Sequence, residues 1–200
     1  MHVTMVVFDL GNVLVDWDPV LTQQGSATPQ QWQEFVERTD FWSLNRTLDA
    51  GAEIAPAREA FAAAHGEDVA YLDRYVQHFP ASLRGPVPGM TALVEDLERA
   101  GLRLGGLSNW SRELYHHASE GIELVGHLED VVVSGFEGVA KPDPRIYRIM
   151  LQRFHTTADQ TLFVDDMEVN VQAARDLGLL AHQFTDAQEL RAWMGRRGIL

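Results

Sequence analysis

Reactive side chains stand directly after several short apolar runs of this sequence. Asp9, the pair Ser108-Asn109 and the pair Asp165-Asp166 each follow such a run, and Lys141 lies just before a helix expected to begin at Pro144. Taken singly, an Asp or Ser after a strand is an ordinary turn residue or helix N-cap. Together, carboxylates with one lysine and one hydroxyl can hold a divalent cation and a tetrahedral anion. Three carboxylates in one place also require a cation, since they do not stay ionised together without one.

These side chains meet only if the apolar runs before them are neighbouring parallel strands. Ligands of open α/β sheets bind beyond the carboxyl ends of the strands, which is where each reactive residue would lie. Helical periodicity occupies most of the intervening stretches, and strands alternating with helices predict parallel strands joined by right-handed crossovers. The predicted strands are Val3–Phe8, Leu102–Leu107, Val131–Val133, Leu162–Val164 and Leu179–Phe184, and the predicted helices include Thr91–Ala100, Pro144–Phe154 and Glu168–Leu177.

The segment from about residue 18 to residue 84 breaks this alternation, because it has helical patterning and no convincing strand run. We therefore predict an α/β fold whose core is Rossmann-like, with a three-layer parallel-sheet architecture formed by residues 1–16 and 85–200. A small all-helical cap of residues 17–84 is inserted after the first strand. The clearest predicted helices of this cap are Gln30–Thr39, Pro56–His65 and Tyr71–Phe79.

Aromatic residues cluster in the first half of the predicted cap. They could line a substrate pocket, but the favoured interpretation is that they form the small core of the cap itself. These residues are Trp17, Trp32, Phe35, Phe41 and Trp42.

Composition excludes several classes of protein. The 200 residues include no cysteine, which excludes a disulfide-stapled fold, and 46% of them are hydrophobic, which is enough for a sizeable core. The formal charge of −13 argues against a nucleic-acid or anionic-membrane partner, because those surfaces attract positively charged proteins. The first residues lack the basic and apolar regions of a signal peptide, and no run approaches the length of a membrane span. We therefore expect a soluble cytoplasmic protein, either a monomer or a small homo-oligomer.

Four motifs in this order resemble those of the haloacid dehalogenase (HAD) superfamily. Within it, the chain is most similar to small bacterial phosphatases with a helical cap after the first motif, including the alpha-D-glucose-1-phosphate phosphatase type. The phrase Asp-Leu-Gly-Asn-Val at Asp9–Val13 points to that subgroup. The motifs are Phe8-Asp9-Leu10-Gly11-Asn12-Val13-Leu14, Leu107-Ser108-Asn109, Lys141-Pro142-Asp143-Pro144-Arg145-Ile146-Tyr147 and Phe163-Val164-Asp165-Asp166.

The resemblance implies that the chain is a Mg²⁺-dependent phosphomonoesterase acting on a small phosphorylated substrate. Asp9 matches the catalytic nucleophile, whose carboxylate attacks phosphorus to give an aspartyl-phosphate that water hydrolyses. The resemblance assigns Mg²⁺ to Asp9, the backbone carbonyl of Gly11 and Asp166, with Asp165 close by. Asn170 is expected to orient this acidic loop.

The resemblance also assigns the groups that bind the phosphoryl oxygens. Ser108 matches a catalytic hydroxyl that hydrogen-bonds one of them, helped by the backbone N–H of Asn109. Lys141 matches the catalytic cation that holds nucleophile and phosphate together. An alternative for Ser108 alone is an N-cap of a helix over Ser111–Ser119.

Gly11 departs from the pattern of the superfamily. Most of its phosphatases carry a second Asp at this position, which protonates the leaving alcohol and then activates the water. General acid–base help typically contributes about 10²–10⁴-fold, so its loss matters most for leaving groups of high pKa. The departure therefore favours a substrate with a better leaving group, such as a sugar 1-phosphate. Asp16 or Asp18 could replace the missing acid, although a turn or helix cap at Asp18-Pro19 is the favoured interpretation.

Two other functions remain open at this point. True 2-haloacid dehalogenases also lack the second Asp, and Arg46 and Trp42 could provide the halide site that such an enzyme needs. Dehalogenases require no metal, however, so the pair Asp165-Asp166 favours the phosphatase. The third possibility is a catalytically weak protein that binds a phosphorylated metabolite on the same fold.

Overall fold

A five-stranded parallel sheet forms the centre of the computed structural model, which describes residues 2–200. The strands of the molecule are β1 (Met5–Phe8), β2 (Val15–Trp17), β3 (Leu83–Pro86), β4 (Arg103–Ser108), β5 (Val131–Val133), β6 (Thr161–Asp165) and β7 (Leu180–Gln183). The sheet has the order β5-β4-β1-β6-β7, and all four pairings in it are parallel. The predicted α/β fold is therefore confirmed. Because β1 lies between β4 and β6, the residues that end these three strands share one edge of the sheet.

Helices connect the strands and cover both faces of the sheet. Pro144 and the side chain of Asp143, which accepts a hydrogen bond from the backbone N–H of Arg145, fix the start of one of them. The helices are α1 (Pro29–Thr39), α2 (Phe41–Asp49), α3 (Ile54–His65), α4 (Val69–Gln77), α5 (Met90–Arg99), α6 (His116–Gly121), α7 (Ser134–Glu137), α8 (Pro144–Arg153), α9 (Glu168–Asp176) and α10 (Ala187–Gly195). Of the residues described, no helix is long and apolar enough to cross a membrane.

The two faces of the sheet carry separate apolar clusters. Val6 and Phe8 pack on one side, and Met5 and Val7 pack on the other, as the alternation of side chains along a strand requires. A Cβ atom at Gly105 of β4 would lie 2.6 Å from the ring of Phe154, so glycine allows this ring to approach the backbone. Helix, sheet and helix therefore form the three predicted layers.

The residues between β2 and β3 form α1 to α4. Thr28 and Gln31 make a reciprocal capping box that begins α1. The side chains of this helical segment form an aromatic core of their own, in which ring centroids lie 5 to 6 Å apart. This agrees with the favoured interpretation of the aromatic cluster for every member except Trp17, which lies at the active site described below. The fully or nearly buried rings are Trp32, Phe35, Phe41 and Tyr75.

An antiparallel pair, β2 with β3, joins the helical segment to the sheet. The expectation of no strand between residues 18 and 84 is wrong at its end, because β3 begins at Leu83. Both strands are too short for an alternating pattern to show, and β3 contains a Gly-Pro sequence that indicates a turn. The predicted boundaries at residues 17 and 84 fall within this strand pair. Arg84 of β3 is ion-paired with Asp16 of β2 across it, with 2.8 Å between the charged groups.

Candidate active site

Asp9 lies directly after the central strand β1, and its two carboxylate oxygens have different surroundings. Oδ1 accepts hydrogen bonds from the backbone N–H of Leu10 at 2.7 Å and from the hydroxyl of Ser108 at 2.8 Å. The ammonium group of Lys141 lies 3.0 Å from the same oxygen. Within residues 2–200, Oδ2 accepts no hydrogen bond from another side chain or N–H group. The second oxygen is therefore left for an electrophile or a metal ion.

Lys141 is the buried counter-charge of the site. Its ammonium group lies 2.6 Å from Oδ2 of Asp165 and donates a hydrogen bond of 2.8 Å to the backbone carbonyl of Leu107. Burial alone would lower the pKa of Lys141, but Asp165 and Asp9 raise it above its usual value. The lysine therefore stays charged and holds two carboxylates together across the end of the sheet.

The side chain of Asn109 binds the loop that carries Lys141, whereas the phosphate contact expected of this residue was from its backbone N–H. Its Nδ2 donates to the backbone carbonyl of Lys141 at 2.9 Å, and its Oδ1 accepts from the backbone N–H of Lys141 at 2.8 Å. This reciprocal pair fixes the loop that carries the lysine. Asn109 also lines the cavity described below.

Ser108 is not the N-cap of the following helix. Its hydroxyl donates to Asp9, and α6 begins only at His116. The alternative helix-cap role is therefore wrong, and the structure places Ser108 beside the nucleophile expected from the sequence.

Asp9, Asp165 and Asp166 form an acidic cluster in which one oxygen of each lies within 4.8 Å of the others. Asp165 is fully buried, and both its oxygens accept hydrogen bonds from Asn170, with a further bond to Oδ1 from the backbone N–H of Met167. Asn170 therefore orients the acidic loop, as its place in the sequence indicates. Asp166 instead lines the cavity.

The acidic cluster fits a hard divalent cation. Burial first, and then the charges of neighbouring carboxylates, raise the pKa of Asp9 to about 7 and raise the pKa of Asp166 above its usual range. Carboxylates that resist ionisation for this reason gain from a cation among them, and Mg²⁺ prefers such oxygen ligands. Asp9 and Asp166 are the residues with oxygens free to bind it directly, since Asp165 already accepts bonds from Lys141 and Asn170.

A cavity of about 200 Å³ opens above Asp9. Its floor is formed by the ends of β1, β4 and β6, and its roof includes side chains of the helical segment between β2 and β3. The roof combines the rings of Trp17, Tyr75 and Phe79 with the polar side chains of Asn45 and Asp49, and the floor carries the carboxyl groups of Asp9 and Asp166. The residues that line it are Asp9, Gly11, Asn12, Trp17, Asn45, Asp49, Tyr75, Phe79, Ser108, Asn109, Trp110, Ser111, Leu114, Asp166 and Met167.

Sequence reasoning missed three connected residues of the roof. Asn45 donates from Nδ2 to the carboxyl of Asp49 at 2.9 Å and accepts from the hydroxyl of Tyr75 at 3.0 Å. Burial and the nearby charge of Asp9 raise the pKa of Asp49 to about 7. In the sequence, Asp49 ends a helix and is followed by Ala50-Gly51, a pattern that indicates a helix end and gives no sign of a functional role.

The other candidates from the sequence lie away from the cavity. Asp16 is paired with Arg84, and Asp18 caps the 3₁₀ turn Pro19–Gln23 by accepting from the backbone N–H of Val20. The cap interpretation of Asp18 is therefore confirmed. Arg46 and Trp42, the suggested halide site, are not among the residues that line the cavity.

Two indole N–H groups at the cavity are buried and have no hydrogen-bond partner within residues 2–200. They belong to Trp17 and Trp110. A buried donor without a partner is costly, so each of these indole N–H groups lowers the stability of the folded protein.

We expect Trp17→Phe and Trp110→Phe each to raise KM by about 2–10-fold, because each removes part of an aromatic surface that lines the cavity, an apolar loss of about 0.5–1.5 kcal/mol. Thermal stability should change little, because removing a buried donor that lacks a partner raises the free energy of unfolding while the smaller ring lowers it by leaving empty space. Steady-state kinetics and thermal melts measure both effects. Trp193→Phe is the control, since Trp193 lies on α10 beside Arg197 and away from the cavity. An unchanged KM in both cavity variants would show that neither indole binds the substrate.

Comparison with known proteins agrees with this geometry. Residues 3–178 match the haloacid dehalogenase-like hydrolase family. A sesquiterpene phosphatase of Aspergillus oryzae, astK, is 26% identical over 94% of this chain and 95% of its own length. A phosphoglycolate phosphatase of Rhodospirillum rubrum is 32% identical over 87% of this chain and 76% of its own length. A HAD family enzyme of Bacteroides thetaiotaomicron, solved in complex with magnesium and inorganic phosphate, shares the fold with a TM-score of 0.69 at 18% identity, covering 92% of this chain and 96% of that chain. The chain thus belongs to the haloacid dehalogenase-like hydrolases.

Proposed function

We propose that this hydrolase is a Mg²⁺-dependent phosphomonoesterase that acts on a small phosphorylated metabolite through an aspartyl-phosphate on Asp9. The observation that carries the proposal is the asymmetry of Asp9, whose Oδ1 is held by Ser108, Lys141 and a backbone N–H while Oδ2 is free at the cavity. A carboxylate oriented in this way by fixed donors is a positioned nucleophile. The phosphatase relatives support the same reaction class.

Some residues of the site hold the nucleophile, and others would bind the phosphoryl group or the metal ion. Lys141 and Ser108 fix the attacking carboxylate, and Ser108, which lines the cavity, would hydrogen-bond an oxygen of a phosphoryl group placed against Asp9. The side chain of Lys141 is fully buried and lines no part of the cavity, so this lysine would act through Asp9. Asp9, Asp166 and the carbonyl of Gly11 would hold Mg²⁺, with Asp165 behind them. When bound, the ion supplies positive charge that reduces repulsion between the anionic nucleophile and the anionic phosphate. The rings of Trp17, Tyr75 and Phe79 would exclude water from their part of the cavity.

We further propose a neutral leaving group with an apolar face, of which a sugar 1-phosphate is the leading example. Among residues 2–200, no arginine or lysine lines the cavity, so a carboxylated or doubly phosphorylated leaving group would find no counter-charge there. The rings of Trp17, Tyr75 and Phe79 offer flat surfaces to the face of a sugar ring. This substrate class agrees with the resemblance to alpha-D-glucose-1-phosphate phosphatase.

The proposal is tested by phosphate release from an aryl phosphate, sugar 1-phosphates, sugar 6-phosphates and nucleotides, each with Mg²⁺ and with EDTA. Phosphate release that requires Mg²⁺ and is fastest for sugar 1-phosphates supports both the phosphatase function and the proposed substrate class. Faster release from sugar 6-phosphates supports the phosphatase function but contradicts the proposed sugar 1-phosphate class. Halide release from a 2-haloacid without metal would support a dehalogenase, and tight binding of a phosphosugar without turnover would support a binding protein.

We expect Asp166→Asn to raise the Mg²⁺ concentration needed for half-maximal activity by about 10-fold or more, because it replaces a charged ligand by a neutral one. Calorimetric titration of Mg²⁺ should show the same loss of affinity. Asp176→Asn is the matched control, since Asp176 is exposed on α9 and contacts only Gln172 of the same helix within the described chain. Equal Mg²⁺ affinity in the two variants would exclude Asp166 as a direct ligand.

A further inference from the structure

Gly11 leaves a phosphatase of this kind without the usual proton donor, and the structure shows that glycine is not required there for steric reasons. A Cβ atom at Gly11 would meet nothing within 4 Å, and the residue is not among those with a positive φ. An acidic side chain would therefore fit at this position. The absence of an acid at Gly11 is therefore not imposed by sterics, and a proton for the leaving group must come from another residue.

Asp49 is the carboxyl in a suitable place. Among residues 2–200, the cavity is lined by three acidic side chains, and two of them, Asp9 and Asp166, belong to the cluster on its floor. Asp49 lies on the roof at the end of α2 and lines the same cavity as Asp9, into which the leaving group of a phosphate ester bound at Asp9 would extend. Asp16 and Asp18 line no part of this cavity.

The end of α2 is fixed against the loops of the sheet. The hydroxyl of Ser134 donates to the backbone carbonyl of Asp49, and it also accepts from the backbone N–H of Trp110. Just beyond, the guanidinium of Arg112 donates to the carbonyl of Gly51 at 2.6 Å. These contacts join the roof to the loops after β4 and β5, so the position of Asp49 relative to Asp9 is set by packing.

The contacts of the Asp49 side chain are compatible with its protonated form. Asn45 donates to Oδ2 and is itself held by Tyr75, and neither partner is a cation. Burial, together with the charge of Asp9, raises the pKa of Asp49 and favours the neutral acid, and a hydrogen bond from the backbone of Ser111 and the charge of Lys141 oppose this more weakly. A carboxylic acid in this environment can give up a proton and take it back near neutral pH.

We propose that Asp49 is the general acid and base of the reaction, in the place of the residue missing at Gly11. The inference rests on the proposed phosphatase function. In the first step, Asp9 forms a bond to phosphorus, the bond from phosphorus to the alcohol oxygen breaks, and Asp49 gives its proton to that oxygen. In the second step, a water oxygen attacks phosphorus, the bond to Asp9 breaks, and the carboxylate of Asp49 takes the proton of the water. Alcohol and inorganic phosphate leave, and both aspartates return to their initial states.

The test compares two substrates that differ in how much acid help their leaving groups need. Asp49→Asn keeps the size of the side chain and removes the proton. For an alkyl phosphate or a sugar 6-phosphate, kcat/KM should fall by about 10²–10⁴-fold. For dinitrophenyl phosphate, whose leaving group needs no proton, the fall should be smaller by at least about 10-fold. Asp16→Asn is the control and should behave as the wild type on both substrates.

A second variant tests the same claim by gain of activity. Gly11→Asp in the Asp49→Asn protein restores a carboxylic acid at a position with room for it, and we expect turnover of the alkyl phosphate to recover by about 10-fold or more. Equal losses on both substrates in Asp49→Asn would overturn the proposal in favour of a structural role. Unchanged kinetics, or no recovery with Gly11→Asp, would overturn it as well. Wild-type protein that releases no phosphate from dinitrophenyl phosphate would instead reject the phosphatase function itself.

Discussion

Replacing Asp9 by Asn is expected to lower Mg²⁺-dependent phosphate release by about 10⁴-fold or more, as removal of a covalent nucleophile does in other enzymes. The amide has nearly the same shape as the carboxylate, but its oxygen is a poor nucleophile. The amide oxygen can still accept the hydrogen bonds that Ser108 and Leu10 donate to Oδ1. The loss is therefore one of chemistry and not of local structure. Measuring phosphate release and a thermal melt on the same samples separates a loss of chemistry from a loss of structure.

The Asp9→Asn variant should lose activity without losing thermal stability. The pKa of Asp9 is raised to about 7 in the folded protein, mainly by burial, and returns to its ordinary value of 3.8 in the unfolded chain. A raised carboxyl pKa means that the folded state loses stability as pH rises from about 4 to about 7. Asp9→Asn removes this loss, so in metal-free buffer above pH 7 it should be at least as stable as the wild type. A variant that is inactive and also unfolds earlier would show a structural role instead.

Lys141→Met should lower the free energy of unfolding by about 3–5 kcal/mol, because it leaves buried carboxylates without their counter-charge. For a chain of this size, the melting temperature should fall by about 10 °C. Lys141 is fully buried in its side chain and touches both Asp9 and Asp165. Phosphate release should also be lost, since the same ammonium group holds the nucleophile.

Two measurements separate the charge of Lys141 from its packing. Arg103→Met is the matched control, because Arg103 pairs with Glu129 at the surface and such a pair contributes only about 0–1 kcal/mol. Mg²⁺ should raise the melting temperature of Lys141→Met more than that of the wild type, since the carboxylates then lack any other cation. A loss of stability no larger than that of Arg103→Met would contradict the role assigned to the lysine.

The floor of the site was predictable because its residues sit next to the elements that position them. Asp9, Ser108 and Asp165 each end an apolar run, and such a run indicates a buried parallel strand without any knowledge of the rest of the fold. Since β1 pairs with both β4 and β6, the three strand ends necessarily meet. Sequence therefore predicts which residues form the floor and which edge of the sheet they share.

The roof was not predictable in the same way. Asp49 and Tyr75 lie on separate helices, α2 and α4, and they meet only through Asn45 and the aromatic packing of the helical segment. Helical periodicity predicts that such a helix has a buried face but does not say which neighbour that face contacts. The strand pair β2 and β3, which sets the position of the segment, is also too short to leave a pattern. The missing acid at Gly11 was the one sequence signal that a replacement lies elsewhere.

Acid quenching during turnover of an aryl phosphate tests the covalent step at Asp9 directly. Mass spectrometry of the quenched protein should find a phosphoryl group on the peptide that contains Asp9 in the presence of Mg²⁺. It should find none with EDTA or in Asp9→Asn. Phosphate release at the wild-type rate with the phosphoryl group on another residue, or with Asp9 unmodified at every time point, would contradict the account.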